Sequence, residues 1–383
     1  MSVTTPRGFR AAAATAGLKD SGQPDVALVV NDGPLDAAAG VFTANRVQAA
    51  PVLWSRQVLA GGRVQAVVLN SGGANACTGP DGFADTHRTA EAVAAAVGTG
   101  AARVAVCSTG LIGVRLPMDR LLPGVVQAAG QLSADGGAPA AEAIRTTDTV
   151  AKTSTAAGDG WSVGGMAKGA AMLAPALATM LAVVTTDAVA DAALLDEVLR
   201  VATRGSFDRV DTDGCMSTND TVLLLASGAS GVAPSREELQ AAVSAVCADL
   251  ARQMVRDAEG ASKEIAVEVV GAASEDDALQ VARAVGRSNL LKCALHGRDP
   301  NWGRVLAAVG TTCAAFQPEE LDVAINGVQV CRAGAPGEDR DLVDLSGRDV
   351  QVVVDLHAGS AAATVWTSDL TADYVHENSA YST

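Results

Sequence analysis

Short apolar runs alternate with segments of helical periodicity along this chain of 383 residues, and this alternation limits the folds that it can adopt. The apolar runs end at Gly, Asn or Ser residues typical of turns, which predicts short buried strands. Predicted strands are residues 26–30, 63–70, 103–107, 265–270, 321–325, 328–331, 352–356 and 361–366. Predicted helices are residues 90–97, 123–129, 191–204, 236–256 and 275–287. Elements in this order predict layered α/β sandwiches, with a smaller C-terminal subdomain from about residue 275 onwards.

Local signals mark the ends of several of these elements. Ser235, with Glu238 three residues later, has the form of a capping box and predicts the start of the helix at 236–256. Pro123 is predicted to occupy the first position of its helix, where a missing N–H is tolerated. Asn326-Gly327 between two apolar runs predicts a β-hairpin.

The composition indicates a folded protein that does not bind polyanions. Apolar residues make up 49% of the chain and aromatic residues only 3%, so the core is expected to consist of Ala, Val and Leu. The formal charge of −15 repels nucleic-acid phosphates and anionic lipids, so neither nucleic acid nor a membrane is an expected partner. The longest largely apolar run, residues 170–184, is too short to cross a bilayer and contains Pro175.

The cysteines and histidines predict no metal site. Seven cysteines are scattered without a Cys-x-x-Cys pair, and four histidines are equally dispersed. Reduced thiols and an N-terminus without an apolar signal segment predict a cytoplasmic protein. The sequence contains neither a Walker loop nor a dinucleotide-binding glycine motif, and no cofactor is expected.

The segment from Gly165 to Leu181 places one cation, Lys168, and one hydroxyl, Thr179, in an otherwise small and apolar run. A hydroxyl directly after a small residue such as Ala178 can attack the preceding carbonyl, which gives an N-to-O acyl shift and then chain cleavage. The freed threonine would carry a nucleophilic oxygen and an α-amine of pKa about 7.7–8.0 that serves as its own general base. The alternative is a buried strand that contains a structural threonine.

Other polar segments suit the same chemistry, and each has a structural alternative. Ser108-Thr109-Gly110 follows a predicted strand and suits an oxyanion hole, or is an ordinary turn. Lys168 suits a substrate carboxylate, or is a surface lysine. The segment 145–148, which contains Thr146, suits a polar substrate, or is a turn. Glu259 is either an anchor for a substrate amine or a solvated loop residue, and the tail 378–383 would ordinarily fray.

Taken together, these segments resemble the ornithine acetyltransferase (glutamate N-acetyltransferase) family of arginine biosynthesis. The matching blocks lie in order and cover essentially the whole chain. They are Asn70–Gly79, Ser108–Gly113, Thr146–Asp148, Gly164–Leu181, Ser217–Thr221, Glu259–Lys263, Asp299–Arg304 and Asn378–Thr383. The chain departs from the family pattern at five positions. Gly73 stands in place of Asn, and Cys215 stands in place of Asp. Around the cleavage position, Ala171 replaces Gly, Ala176 replaces Asn and Leu177 replaces Met. The nucleophile, the lysine and the oxyanion pair are intact.

The resemblance implies an α-β-β-α sandwich of the self-processing N-terminal-nucleophile type, cleaved between Ala178 and Thr179. It implies that Thr179 is the nucleophile and that Thr109 and Gly110 form the oxyanion hole. The implied substrate contacts are Thr146, Lys168, Thr179, Glu259, Asn378 and Thr383. Residues 1–178 and 179–383 are then the two chains of one folded unit, which assembles further into a homo-oligomer.

The reaction that the resemblance implies is transfer of the acetyl group from N-acetylornithine to glutamate through acetyl-Thr179, giving ornithine and N-acetylglutamate. The sequence leaves open whether acetyl-CoA is also a donor. Two alternatives remain at this point. One is a self-processing amidase or aminopeptidase that gives the acyl group to water, and the other is an uncleaved metabolite-binding protein in which Thr179 is structural.

Overall fold

The computed structural model describes residues 2–174 and 180–380. Strands in these residues are β1 Phe9–Ala14, β2 Val26–Asn31, β3 Ala37–Phe42, β4 Ala66–Ser71, β5 Val104–Thr109, β6 Lys152–Ala157, β7 Ser162–Lys168, β8 Leu181–Thr186, β9 Thr221–Ala226, β10 Glu264–Ala272, β11 Asp322–Ile325, β12 Val328–Arg332, β13 Ala335–Pro336, β14 Asp349–Asp355 and β15 Ala361–Ser368. Helices are α1 Ala50–Leu59, α2 Gly79–Val97, α3 Met118–Gly130, α4 Gly137–Ala143, α5 Ala192–Arg204, α6 Arg236–Arg256, α7 Glu275–Gly286, α8 Asn289–His296, α9 Trp302–Val309 and α10 Ala372–Ala380. The described chain divides into two compact units, residues 2–208 with 215–254 and residues 209–214 with 255–380.

The first unit contains a four-stranded sheet in the order β1-β2-β4-β5. Strands β2, β4 and β5 are largely apolar runs because both of their faces are buried. In β2, for example, Leu28 and Val30 point to one apolar cluster while Ala27 and Val29 point to another. The parallel pairing of β4 with β5 sets Ser71 opposite Thr109, so the two strands end together.

A five-stranded sheet in the order β3-β9-β8-β7-β6 forms the second half of the first unit. The pairing of β8 with β9 is parallel and the other pairings are antiparallel. Register places Leu181, the first residue of β8, between Lys168 of β7 and Thr221 of β9. The end of β7 and the starts of β8 and β9 therefore lie side by side.

The two sheets of the first unit pack face to face, with helices on their outer faces. Val67 of the first sheet and Val183 of the second belong to one buried apolar cluster between them. Helices α2 and α3 cover the outer face of the first sheet. Helix α5 lies against β3 and β9, and Val246 and Leu250 of α6 lie against Gly165 of β7. These four layers confirm the predicted α-β-β-α sandwich.

The second unit, residues 209–214 with 255–380, is a smaller α/β body, and the subdomain start near residue 275 stays a prediction. Its sheet has the order β13-β12-β11-β14-β10-β15, and α7 packs against β10 and β15. Val267 and Val365 on these two strands lie in one buried cluster with Val281 and Val285 of α7. The division of the chain at residues 178 and 179 concerns cleavage and stays a prediction.

Most local signals of the sequence agree with the structure, and one does not. The capping box is confirmed, because Ser235 N–H donates to Glu238 Oε2 at 2.8 Å and Glu238 N–H donates to Ser235 Oγ at 3.2 Å. The prediction that Pro123 opens its helix is wrong. Helix α3 begins at Met118, directly after Pro117, so Pro123 lies inside the helix. Within the described residues, no helix is both long enough and apolar enough to cross a membrane.

Candidate active site

The turn after β5 has a backbone that only glycine accepts at Gly110. Its φ is +127°, in the region that side chains rarely adopt. A Cβ at this position would lie 2.5 Å from Gly73 N and 2.7 Å from Gly72 C, so there is no room for one. Glycine is required at this position because the chain turns sharply and its backbone lies against the neighbouring loop.

The loop that begins at Asn70 fixes this turn. The N–H groups of Gly72 and Gly73 both donate to the carbonyl oxygen of Thr109 at 3.0 Å. Because the peptide bond is planar and trans, the Gly110 N–H points away from that oxygen. Among the described residues no acceptor bonds this N–H, so it is available to an oxyanion.

Lys168 is a buried cation beside the predicted oxyanion pair, Thr109 and Gly110, rather than a surface lysine. It ends β7, and its side chain is only 3% exposed. Its Nζ lies 3.4 Å from Thr109 Oγ1 and 4.0 Å from Asp148 Oδ2. The structure thus brings together Lys168 and Thr109, which come from separate segments of the sequence.

Asp148 organises the charges around Lys168. Its Oδ1 accepts hydrogen bonds from Lys152 Nζ at 2.7 Å and from Gly169 N–H at 2.6 Å. Its Oδ2 accepts from Thr146 N–H at 3.1 Å, which places Thr146 at the edge of the same cluster. Burial alone would raise the pKa of Asp148, but Lys168 and Lys152 together hold it below its ordinary value. Asp148 thus joins two buried lysines, and one of them, Lys168, lies beside Thr109.

Lys19 adds a further cation that the sequence gave no reason to select. Its Nζ donates to the carbonyl oxygens of Pro24 at 2.9 Å and Ala143 at 3.2 Å. Burial lowers the pKa of Lys19 to about 8, and the positive charges of Arg145 and Lys168 lower it as well. The carboxylates of Asp25 and Asp148 raise the pKa of Lys19 in part.

Met180, the residue after the predicted nucleophile, makes hydrogen bonds through both its N–H and its carbonyl oxygen. Thr179 and Ala178 lie outside the described residues, but Met180 is described and buried. Met180 N–H donates to Asp220 Oδ1 at 3.0 Å, and Met180 O accepts from Thr221 N–H at 3.1 Å. The predicted nucleophile therefore precedes a residue that is fixed at the start of β8, beside the end of β7 that carries Lys168.

Glu259 and Asn378, predicted substrate contacts, lie in the second unit and bond each other. Asn378 Nδ2 donates to Glu259 Oε2 at 2.8 Å. Glu259 is 9% exposed, so it is not the solvated loop residue that was its alternative interpretation. Asn378 belongs to helix α10, so this part of the polar tail has regular structure. Thr383, the remaining predicted contact, lies outside the described residues.

Asp220 and Asn219 contact the residues around the candidate site, and the sequence analysis matched them as part of a block but did not select them. Asn219 Nδ2 donates to the carbonyl oxygens of Ala74 at 2.6 Å and Ser108 at 2.8 Å, which braces the strand end before Thr109. Their only signal in the sequence is membership of the polar block 217–221 ahead of an apolar run. In the part of the chain that the structure describes, no group of His, Cys, Asp and Glu residues could hold a metal ion.

Comparison with known proteins gives full-length matches. The model of the ArgJ family matches residues 10–383. The arginine biosynthesis bifunctional protein ArgJ of Streptomyces coelicolor is 69% identical over 382 residues, covering 100% of both chains. The protein of the same name from Thermobifida fusca is 64% identical over 383 residues, again covering 100% of both chains. Among solved structures, ornithine acetyltransferase complexed with ornithine from Mycobacterium tuberculosis is 60% identical, with a TM-score of 0.45, and covers 47% of this chain and 96% of that chain.

Proposed function

The chain belongs to the ArgJ family, as its sequence motifs predicted, and we propose that it is an acetyltransferase of arginine biosynthesis that carries the acetyl group on Thr179. N-acetylornithine is the donor and glutamate the acceptor, so the products are ornithine and N-acetylglutamate. Its relatives from Streptomyces coelicolor and Thermobifida fusca are named for arginine biosynthesis and match along their whole length, which supports the pathway.

The observation that carries the proposal is the grouping of three features in the first unit. The Gly110 N–H has no acceptor among the described residues, the buried Lys168 lies 3.4 Å from Thr109 Oγ1, and Met180 is anchored at the start of β8 beside Lys168. An acyl-transfer site for an amino-acid substrate needs an oxyanion donor, a nucleophile at a fixed position and a cation that binds the substrate carboxylate. The residues of this region supply the first and third, and Thr179 directly precedes the anchored residue.

The active nucleophile arises by self-cleavage. Thr179 Oγ attacks the Ala178 carbonyl carbon, the C–N bond breaks, and the hydroxyl proton passes to the nitrogen, which becomes the α-amine of Thr179. Water then hydrolyses the ester, leaving Ala178 as a C-terminal carboxylate and Thr179 as a new N-terminus. The small side chain of Ala178 favours this step because it leaves the carbonyl open to attack.

Acetyl transfer then proceeds in two half-reactions. Thr179 Oγ, deprotonated by its own α-amine, attacks the acetyl carbonyl, and Thr109 with Gly110 N–H holds the oxyanion. Collapse of this intermediate expels ornithine, whose amine takes the proton. The glutamate amine then attacks the acetyl ester and leaves as N-acetylglutamate, which regenerates Thr179.

Substrate recognition follows from charge. N-acetylornithine and glutamate both carry an α-carboxylate, for which Lys168 is the proposed anchor, with Thr146 beside it. Glu259 and Asn378, already bonded to each other, are proposed to contact the amino groups, together with Thr383. The related proteins are named bifunctional, which supports acetyl-CoA as a second acetyl donor. We further propose a cytoplasmic homo-oligomer of the cleaved pair of chains.

The first test is the intact mass and N-terminal sequence of the purified protein beside the Thr179→Ala variant. We expect the wild type to give two fragments, the second beginning Thr-Met-Leu-Ala, and the variant to stay uncut and inactive. A single uncut wild-type chain would contradict the mechanism, because no free α-amine would form. With N-acetylornithine and glutamate as substrates, N-acetylglutamate supports the transferase, whereas free acetate as the main product would indicate an amidase instead.

A further inference from the structure

The two chain segments that carry Glu259 and Asn378 are brought together by the register of one strand pair. Antiparallel pairing of β10 with β15 sets Glu264, the first residue of β10, opposite Ser368, the last residue of β15. The residues just outside the two strands therefore continue side by side. They are the segment 259–263, which begins with Glu259, and the segment 369–378, which ends with Asn378.

Asp369 connects these two segments directly after β15. It is 3% exposed, and its Oδ1 accepts the N–H groups of Ser262 and Lys263, each at 2.9 Å. Its Oδ2 accepts the Ser262 hydroxyl and lies 2.9 Å from His296 Nδ1. Burial alone would raise the pKa of Asp369, but the hydrogen bonds from Ser262 and the Lys263 N–H hold it below its ordinary value. One buried carboxyl group thus fixes the start of the tail against the segment 259–263.

Thr371 makes a second connection between the same segments. Its hydroxyl donates to the Gly260 carbonyl oxygen at 2.7 Å and accepts the Tyr374 N–H at 2.9 Å. The bond to an N–H three residues ahead is that of a helix N-cap, so one side chain both starts α10 and holds it to the segment 259–263. Gly260 lies against this helix start, because a Cβ there would be 2.2 Å from Tyr374 N.

Helix α10 lacks the buried apolar face that usually stabilises a helix. It is nine residues long, and none of its described residues is buried. Helices of this length are marginal in water on their own, and most helices in proteins depend on packing of an apolar face. The polar connections through Asp369, Thr371 and Asn378 are therefore expected to determine how fully α10 is formed.

We propose that Thr371 and Asp369 are positioning residues of the acetyl-transfer site: they hold the tail on the segment 259–263 and so keep Asn378 bonded to Glu259. This inference rests on the proposed function, in which Glu259 and Asn378 contact the amino groups of the substrates. Helix α10 is the link, since Asn378 lies seven positions after Thr371, about two helical turns away. Neither Thr371 nor Asp369 takes part in a proton transfer.

The experiment compares the wild type with Thr371→Val and Thr371→Ser. Val has nearly the shape of Thr but no hydroxyl, whereas Ser keeps the hydroxyl and with it both hydrogen bonds. Asp369→Ala removes the other connection and is measured beside them. Hydrogen–deuterium exchange of the intact protein, followed by mass spectrometry, reports how fully residues 372–380 are helical. Steady-state kinetics give kcat and the KM for N-acetylornithine, and intact mass and melting temperature report cleavage and stability.

Ser274→Ala is the matched control, because it removes a helix cap of the same kind in the same unit. Ser274 Oγ accepts the Asp277 N–H at 3.1 Å at the start of α7, which packs on β10 and β15. This variant should lower the melting temperature by about 2–4 °C. It should leave the KM and the exchange of residues 372–380 at their wild-type values.

We expect Thr371→Val to raise the exchange rate of residues 372–380 about fivefold or more, since loss of a cap shifts helix formation by about that factor. Its KM for N-acetylornithine, which carries a free side-chain amine, should rise about tenfold while kcat stays within about threefold of the wild type. Thr371→Ser should restore exchange and KM, and Asp369→Ala should change both in the same direction as Thr371→Val. Cleavage should be normal in all variants, because it uses no residue of the tail.

Two results would overturn the positioning role while leaving the transferase intact. One is unchanged exchange of residues 372–380 in Thr371→Val, which would show that Thr371 does not hold α10 in place. The other is faster exchange together with a wild-type KM, which would show that substrate binding does not depend on the order of α10. A wild-type protein that makes no N-acetylglutamate would instead overturn the proposed function and this inference with it.

Discussion

At the scale of single residues, the backbone conformation of Gly110 determines where the proposed oxyanion donor, its N–H, points. Its φ of +127° lets the chain leave β5 while its N–H points away from the Thr109 carbonyl oxygen. The same backbone passes Gly73 so closely that even one methyl group has no space. The residue is therefore glycine for two separate reasons, conformation and crowding.

Gly110→Ala should abolish most activity and weaken the fold. A side chain at this φ stores about 1–3 kcal/mol of strain, and the contact with Gly73 N forces the turn to move as well. Because the proposed oxyanion donor moves with it, we expect kcat to fall about 100-fold or more. The checks are acetyl-transfer kinetics and urea unfolding.

Gly100→Ala is the matched control for this substitution. Gly100 has an extended backbone, and a Cβ there would find no atom within 4 Å. Its variant should keep the wild-type kcat and lie within about 1 kcal/mol of the wild-type free energy of unfolding. If Gly110→Ala were as active as Gly100→Ala, the N–H of residue 110 would not be the oxyanion donor.

Single residues also show which contacts could not be predicted from the sequence. Thr109 and Lys168 lie in polar segments that suggested a site and were assigned through the family resemblance, and the structure places Lys168 Nζ 3.4 Å from Thr109 Oγ1. Asp220 was not chosen, because the residue that it contacts, Met180, is 40 positions away in the sequence. The two residues come together only through the parallel pairing of β8 with β9. Local patterns contain no information about such a pairing.

At the scale of elements, some strands were predicted and their order was not. Strands β1, β3 and β6–β9 were not among the predicted ones. Apolar runs bounded by turn residues identified β2, β4 and β5 to within a few residues, because burial on both faces demands continuous apolar sequence. The order β3-β9-β8-β7-β6 depends on contacts between distant segments and could not be derived from periodicity. The start of α3 was missed for a different reason. A proline is common at the first position of a helix, and Pro123 inside α3 was therefore taken as its start.

Asn219 couples two of these elements and should be needed for activity. Its side-chain amide, just before β9, bonds Ser108 O at the end of β5 and Ala74 O in the loop after β4. Asn219→Ala leaves two buried carbonyl groups without this donor, which should lower the free energy of unfolding by about 1–3 kcal/mol. Since the Ser108 carbonyl belongs to the peptide that leads into Thr109, kcat should fall about tenfold or more.

Asn31→Ala separates the effect on the site from the effect on stability. Asn31 Nδ2 makes the same kind of bridge, to Leu35 O at 3.0 Å and Ala226 O at 3.2 Å. It lies at the end of β2 opposite to the end that pairs with Asn70. Urea unfolding should show comparable losses for both variants, and kinetics should show a fall in kcat for Asn219→Ala alone. Equal kcat values would remove Asn219 from the site.

At the scale of the whole molecule, the proposed cleavage at 178–179 cuts a chain whose two segments share one sheet. Strands β3, β6 and β7 come from the first segment, and β8 and β9 come from the second. The order β3-β9-β8-β7-β6 places the second segment's strands between those of the first. Six residue pairs join β7 to β8, and six more join β3 to β9.

This interleaving predicts that cleavage does not release the fragments. Backbone pairing and the shared apolar core between the sheets hold both segments, so separating them requires unfolding of the first unit. Size-exclusion chromatography in native buffer should show the wild-type fragments eluting together, at the same volume as uncut Thr179→Ala. Addition of denaturant should separate the wild-type fragments and leave the variant as one chain. Fragments that separate in native buffer would contradict the strand order itself, because neither edge of the β8-β9 pair could then be bonded to the first segment.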